Sequence, residues 1–360
     1  MFKFNELKSI HLEVSNNCQA SCPMCSRNIR GGKDNPNLKL NDWTFDNYKT
    51  IISEQVLTQL EGLYFCGNFG DPILNADLID MCEYSGKINP ELNLRIHTNG
   101  GARNTEWWRK LARALPKNHR VIFGIDGLED THHLYRIGTT YASVIKNATA
   151  FIEEGGNAEW VFIKFKHNEH QVEEAQSRAK ASGFVGFNVK NSTRFVGSPQ
   201  YEVHDKDEKV IYFLEPPSDN KVKFVDVDTV NKVEAWTKES VIKCKVQNSK
   251  EVYIDAHMNL YPCCFLASSP YYYTDPTSII NSVREKISDQ HDELVKDLGS
   301  LNALERSIQG IVDSEAWQTT WAVYWEQKRL ITCARICGSA PDKLFSKPEE
   351  QFVERINLNE

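Results

Sequence analysis

Short apolar runs alternate with amphipathic stretches through the first half of the chain. Ile10–Val14, Gly62–Cys66, Leu92–Thr98, Arg120–Asp126, Glu159–Phe165 and Phe184–Val189 are rich in β-branched and aromatic residues and are followed by turn formers, a pattern that predicts strands. Between them, apolar positions recur at helical spacing. Phe45, Tyr48, Ile51, Ile52 and Val56 share one face, as do Val172, Ala175 and Ala179 ahead of Gly183, a residue suited to ending a helix. Strand–helix units in series need crossover connections, so the strands are expected to run parallel. Six such units are too few to close an eight-strand barrel. The expected fold is α/β: an open, partial (β/α)6 TIM-like barrel followed by a small α+β module.

The alternation ends near Gly197. Residues 198–243 are mixed and charged, contain Pro199 and Pro216-Pro217, and read as a connector. Within 244–360, Glu251–Ile254 and Met258–Tyr261 read as a hairpin leading into Pro262-Cys263-Cys264. A mostly helical stretch follows, where Trp317, Trp321 and Trp325 form a packing stripe. Three segments are therefore expected: a barrel over 1–197, a connector over 198–243 and a second module over 244–360.

Charge removes several classes of function. A net charge of −7 offers no basic face for nucleic acid and no polybasic membrane anchor. No apolar run approaches the length of a membrane span, and Met1–Glu6 lacks the features of a signal peptide. A cytoplasmic location is expected. Structural disulfides are rare in that compartment, so the ten cysteines point to metal ligation. Cys18, Cys22 and Cys25 lie in one short loop, while Cys244, Cys263, Cys264, Cys333 and Cys337 lie far downstream. Cys66 and Cys82 stand alone and read as small buried hydrophobes.

The run Cys18-Gln19-Ala20-Ser21-Cys22-Pro23-Met24-Cys25 directly follows the first strand. Iron–sulfur clusters are normally held by four thiolates, so three imply an iron with an open coordination site. A zinc knuckle is the alternative. Its fourth ligand would have to be His11 or His97, and both sit in apolar strand patterns. His97, His132 and His133 read as packing or surface residues.

This C-x3-C-x-Φ-C spacing, with Met24 at Φ, resembles the signature of the radical SAM superfamily. The resemblance implies a [4Fe–4S] cluster whose open iron is chelated by the amino and carboxylate groups of S-adenosylmethionine (SAM), with Met24 packing by the adenine. Reductive cleavage then yields a 5′-deoxyadenosyl radical that abstracts hydrogen from a substrate. Gly67-Asn68-Phe69-Gly70-Asp71-Pro72 resembles the family's glycine-rich segment, and Thr98-Asn99-Gly100 follows the third strand. Gly124-Ile125-Asp126-Gly127, with His133, Tyr135 and Arg136 beyond it, is similar to the S-x-D-G…H…R stretch of the peptide-modifying branch, Gly124 replacing the serine. The resemblance thus implies SAM contacts from Met24, Gly70, Asp71, Pro72, Thr98, Asn99, Asp126 and Arg136. All these motifs follow strands at their C-terminal ends, where a parallel βα-barrel places its active site.

Cys244, Cys263 and Cys333-x3-Cys337 resemble the SPASM/twitch extension of radical SAM barrels. This implies one auxiliary [4Fe–4S] cluster on Cys244, Cys263, Cys333 and Cys337, since five cysteines are too few for two. Met258 stands where the family has a glycine, and 69 residues separate Cys263 from Cys333. Ligation by Cys264 instead, an open iron that binds substrate, and structural zinc on the same thiols all stay open. Cys264 is also a candidate hydrogen donor, and Tyr271-Tyr272-Tyr273 are placed at the mouth between the modules. The substrate expected from the resemblance is a peptide or protein, with oxidation or epimerisation of a small sugar, polyol or nucleoside as the alternative. An electron donor such as flavodoxin or ferredoxin is the expected partner. Seventeen residues precede Cys18, so no separate leader-binding domain is expected there. A zinc or Fe–S scaffold without catalysis is the reading from another class.

Overall fold

The computed structural model describes residues 1–195, 198–220, 225–273, 279–327, 329–339, 344 and 348–359; Gly197, the expected end of the barrel, lies outside them. All six expected strands form: β1 (Ser9–Leu12), β2 (Gly62–Phe65), β3 (Asn93–Thr98), β4 (His119–Gly124), β5 (Ala158–Lys164) and β6 (Gly186–Asn191). They pair in chain order and in parallel. Side chains alternate across a strand, and here the alternation sorts them into two layers. Leu12, Phe65, Ile96, Phe123, Phe162 and Val189 are buried in the main core with Met81, Trp108 and Phe151 from the crossover helices. The intervening positions, among them His11, Tyr64, Cys66, His97, Gly124 and Lys190, therefore belong to the concave face.

Capping explains one departure from expectation. The helical face from Phe45 to Val56 is split into helices Phe45–Ile51 and Glu54–Gln59, because the Ser53 side chain accepts from the Val56 amide and starts a second helix. Gly183 takes a left-handed φ of +82° just beyond helix Val172–Ala181, the conformation that glycine makes cheap.

The described part of 198–243, the expected connector, carries secondary structure. It holds the antiparallel pair β7 (Tyr201–His204) and β8 (Val210–Leu214), a helix at Val227–Glu239, and the short β9 (Val241–Ile242). Val203 and Leu214 are buried, whereas Val210, Ile211 and Phe213 are exposed. Mixed charge masks a hairpin whose inner face is this narrow.

The downstream hairpin forms as β10 (Glu251–Ile254) and β11 (Leu260–Tyr261), but it does not stand apart. β10 pairs in parallel with β1, Ser9 opposite Glu251 and Leu12 opposite Ile254, so the hairpin extends the barrel sheet. β12 (Gly338–Ser339) pairs with β9. At the other edge, β13 (Phe352–Asn357), which no periodicity announced, pairs antiparallel with β6. The result is one open nine-stranded sheet. The Trp stripe lies on helix Glu315–Glu326, where Trp317 and Trp321 are buried in the main core. Among the described residues no helix is long and apolar enough to cross a membrane.

Candidate active site at the strand C-termini

The cysteine loop leaves β1 and is pinned from several directions. Ser21 N donates to Ile137 O (2.8 Å), Asn28 Nδ2 to Cys22 O (3.2 Å), Tyr201 Oη to Pro23 O (3.0 Å) and Arg194 Nη1 to Met24 O (2.6 Å). Cys22 and Met24 are buried in a small apolar cluster with Tyr135, Phe165, Phe195, Val203 and Leu214. The β7–β8 hairpin is thus the roof of this loop. Ser192 Oγ donates to Met24 Sδ at 3.3 Å. Burial pushes the Cys18 and Cys22 thiols up, and the neighbouring sulfurs add to it, Cys22 and Cys25 beside Cys18 and Cys25 beside Cys22. Donors already reach two of the sulfurs. Ala20 N (3.4 Å) and Asn99 Nδ2 (3.5 Å) reach Cys18, and Arg136 Nη1 (3.8 Å) reaches Cys22.

The rim motifs are joined to one another as well as to that loop. Asp71 Oδ2 accepts from Asn99 N (2.7 Å) and Thr98 Oγ1 (3.1 Å), while Oδ1 accepts from Ile73 N (3.2 Å) and opens the short turn beginning at Pro72. Burial raises the Asp71 carboxyl against the pull of these donors. Asn99 Oδ1 in turn accepts from Gln19 Nε2 at 2.7 Å. Gly70 is needed for packing: a Cβ there would lie 2.0 Å from the Ser15 carbonyl, in the stretch leading to Cys18. Asp126 is fully buried, pairs with Arg136 Nε (2.5 Å), and accepts from Ile163 N (2.5 Å). At Gly124 a Cβ would lie 2.3 Å from Arg136 Nη2, so the guanidinium fills the space that a serine would take.

The sequence reading missed Glu13. Its Oε1 accepts from Phe69 N (2.8 Å) and Gly70 N (3.0 Å), and Tyr253 Oη donates to Oε2 (2.6 Å). Burial pushes its carboxyl up to about 7, against those three donors. A charged residue at the end of an apolar strand was the available signal. Below it on the concave face, His11 packs on Tyr64 and Tyr253 (both 4.7 Å between centroids), and Tyr64 packs on His97 at 5.0 Å. Burial lowers His11 to about 4 and His97 to about 3, so both are neutral near pH 7. Lys190 rests its Nζ over the Phe352 ring at 4.3 Å, and burial lowers its basicity.

The downstream cysteines divide into two groups. Cys244 interacts with Cys337, Cys333 and Cys263, and Cys333 with Cys263 and Cys337. Cys264, heading helix Cys264–Ala267, has Cys66 and Glu251 as neighbours besides Cys263. Cys66 also meets Tyr64, and Asn68 Nδ2 donates to Cys264 O at 2.8 Å. Cys82 is fully buried in the main core. Tyr271 packs edge-on to Phe69 (5.1 Å), and the carbonyls of Tyr271 and Tyr272 accept from Asn35 (2.8 Å) and Asn37 (3.1 Å), which places them at the rim. An open cleft lies at the opposite, N-terminal ends of β3 and β4, between Glu91, Arg95, Lys117 and Arg120.

Solved structures share this architecture. Streptococcus suis SuiB bound to SAM superposes with a TM-score of 0.52 at 13% identity, covering 87% of this chain and 67% of SuiB. Native anSMEcpe with bound AdoMet gives 0.53 at 16% identity, covering 95% and 94% of the two chains. Related structures hold SuiB with its precursor peptide SuiA (0.51, 13% identity, 87% of this chain and 66% of SuiB) and anSMEcpe with AdoMet and the Cp18Cys peptide (0.51, 14%, 95% and 93%). No curated protein matches the sequence. Residues 12–179, from the end of β1 into the helix after β5, match the model of the Radical SAM superfamily.

Proposed function

We propose that this chain is a radical SAM enzyme acting on a peptide or protein, with a SAM-binding [4Fe–4S] cluster on Cys18, Cys22 and Cys25 and an auxiliary [4Fe–4S] cluster on Cys244, Cys263, Cys333 and Cys337. The observation that carries it is a three-thiol loop at the C-terminal rim of a parallel sheet, while the two histidines that could complete a zinc site are engaged elsewhere. His11 Nε2 is engaged with Cys66 O at 2.7 Å, and His97 packs on Tyr64. Three thiols suit a four-iron cluster with one open iron better than a structural zinc site, which takes four protein ligands. Cys18, Cys22 and Cys25 would hold the cluster, which with SAM would supply a 5′-deoxyadenosyl radical able to take hydrogen from a substrate.

The chain's own part is to bind, orient and exclude water. Asp71, Asn99 and Gln19 lock the rim loops to the cysteine loop, and Met24, Gly70, Pro72 and Thr98 line the side on which SAM is placed. The β7–β8 hairpin keeps water from Cys22 and Met24. His11, Tyr64, Cys66, His97 and Lys190 form a polar floor between the two cysteine sets, with Cys264 at its edge as the candidate hydrogen donor. The peptide reading is supported by peptide-bound SuiB and anSMEcpe and by the Asp126-Gly127…Arg136 stretch. The division at 198–243, reduction by a flavodoxin or ferredoxin, and a cytoplasmic location belong to the same proposal. The test is anaerobic reconstitution, incubation with SAM and dithionite, and measurement of 5′-deoxyadenosine beside a Cys18→Ala/Cys22→Ala/Cys25→Ala variant. Product from wild type alone is the expected result; none from either at full iron load would sink the reading.

A further inference from the structure

Arg136 is held against the cysteine loop by its own backbone. It closes helix His132–Tyr135, with Arg136 N donating to His132 O at 2.9 Å. The next residue's carbonyl accepts from Ser21 N (2.8 Å), and Gly138, at a left-handed φ of +92°, presses to within 2.8 Å (from a would-be Cβ) of the Gln19 carbonyl. The guanidinium then has three engagements. Nε meets Asp126 Oδ2 at 2.5 Å, Nη1 points to Cys22 Sγ at 3.8 Å, and Nη2 occupies the space left by Gly124. Asp126 has no exposed side-chain surface and Arg136 only 18%, so solvent screens the group weakly. Cys18 differs, since its donors are the neutral amides of Ala20 and Asn99.

Charge-assisted hydrogen bonds are roughly twice as strong as neutral ones. Hydrogen bonds to the sulfurs and net charge are among the quantities that set cluster potentials. Reduction adds one electron to the cluster, and a fixed cation on a ligating sulfur favours the reduced form. A fixed carboxylate on that cation works the other way. We propose that Arg136 is a positioning residue that raises the reduction potential of the N-terminal cluster through Cys22, with Asp126 setting how much of its charge the thiolate feels. Gly124 is part of the device, because any side chain there evicts the guanidinium. This rests on Cys18, Cys22 and Cys25 being cluster ligands.

The test is anaerobic potentiometric titration of the reconstituted full chain without SAM, followed by EPR. The relevant signal is the one that SAM perturbs and that the Cys18→Ala/Cys22→Ala/Cys25→Ala variant lacks. Arg136→Gln is expected to lower the reduced-to-oxidised ratio at fixed potential about tenfold, equivalent to 59 mV for one electron. Gly124→Ser should move it the same way, Arg136→Lys should hold most of the wild-type value, and Asp126→Asn should move it in the opposite direction. The auxiliary signal should not move in any of them. Opposite signs for Arg136→Gln and Asp126→Asn are what loss of packing would not give. An unchanged potential in Arg136→Gln and Gly124→Ser, or a shift of the same sign in Asp126→Asn, overturns the inference and leaves the proposed function standing. Absence of any SAM-sensitive signal in wild type overturns both.

Discussion

Two buried carboxyls, Glu13 and Asp71, tie loops together, and each makes a distinct prediction. Asp71→Ala leaves the Asn99 and Ile73 amides and the Thr98 hydroxyl without their acceptor. Buried donors left unpaired cost about 1–3 kcal/mol each, so chemical unfolding of the metal-free chain should show a loss of about 3 kcal/mol or more. Glu13 acts through pH. Burial raises its folded pKa from 4.5 to about 7, so the folded state binds the proton more tightly than the unfolded one. Its contribution to stability therefore falls as pH rises from 4.5 to 7 and is flat above. His11 and His97, lowered to about 4 and 3, have the opposite sign: their contribution is present above 6.5 and is lost as pH falls. Unfolding of Glu13→Gln followed from pH 5 to 8 should lack the decline toward pH 7 and keep the loss on acidification; an unchanged profile would contradict the buried acid. Asp71 was legible from its motif, and Glu13 was not. The loop that Glu13 ties lies 56 residues away at Phe69, a contact that no local pattern carries.

At the scale of elements, the six parallel strands could be read because each buries one full face against helices, which keeps the apolar alternation strict. β7, β8 and β13 do not. In β8 only Leu214 is buried, and β13 is exposed or half-buried along its whole length. Their partners decide them rather than their sequences, as is usual for edge and two-stranded structure. The hairpin nevertheless has a defined task over the cysteine loop. Leu214 is 1% exposed, and truncating a buried leucine costs roughly 2–5 kcal/mol. Leu214→Ala should loosen β7 and β8 without unfolding the core. Hydrogen exchange should rise over residues 201–214, and a chelator should strip iron from the N-terminal set faster while the auxiliary set is unaffected. Equal rates at both sets would show that the hairpin does not guard the loop.

Across the whole molecule, sheet continuity fixes where the two cysteine sets stand. β1 leads into Cys18, its parallel neighbour β10 turns into β11, and β11 leads into Cys263, so a single ladder spaces both sets. The spacing of cysteines says nothing about which strands pair, so this ladder was not legible in the sequence. The same ladder bears on the neighbouring thiols Cys263 and Cys264. Cys263 interacts with Cys244, Cys333 and Cys337, while Cys264 stands by Cys66, with Glu251 near both. Two adjacent residues entering a helix cannot direct their side chains to one place, so only one can join the downstream set. Cys263→Ser should therefore lose about half of the iron and the absorbance that goes with it, as expected for one of two clusters. Cys264→Ser should retain both clusters and still form 5′-deoxyadenosine from SAM and dithionite, while turnover of a substrate that needs a hydrogen donor would fall. Iron loss in Cys264→Ser with full retention in Cys263→Ser would reverse the assignment. It would also place the free thiol beside Cys333, away from the polar floor where a substrate radical would be met.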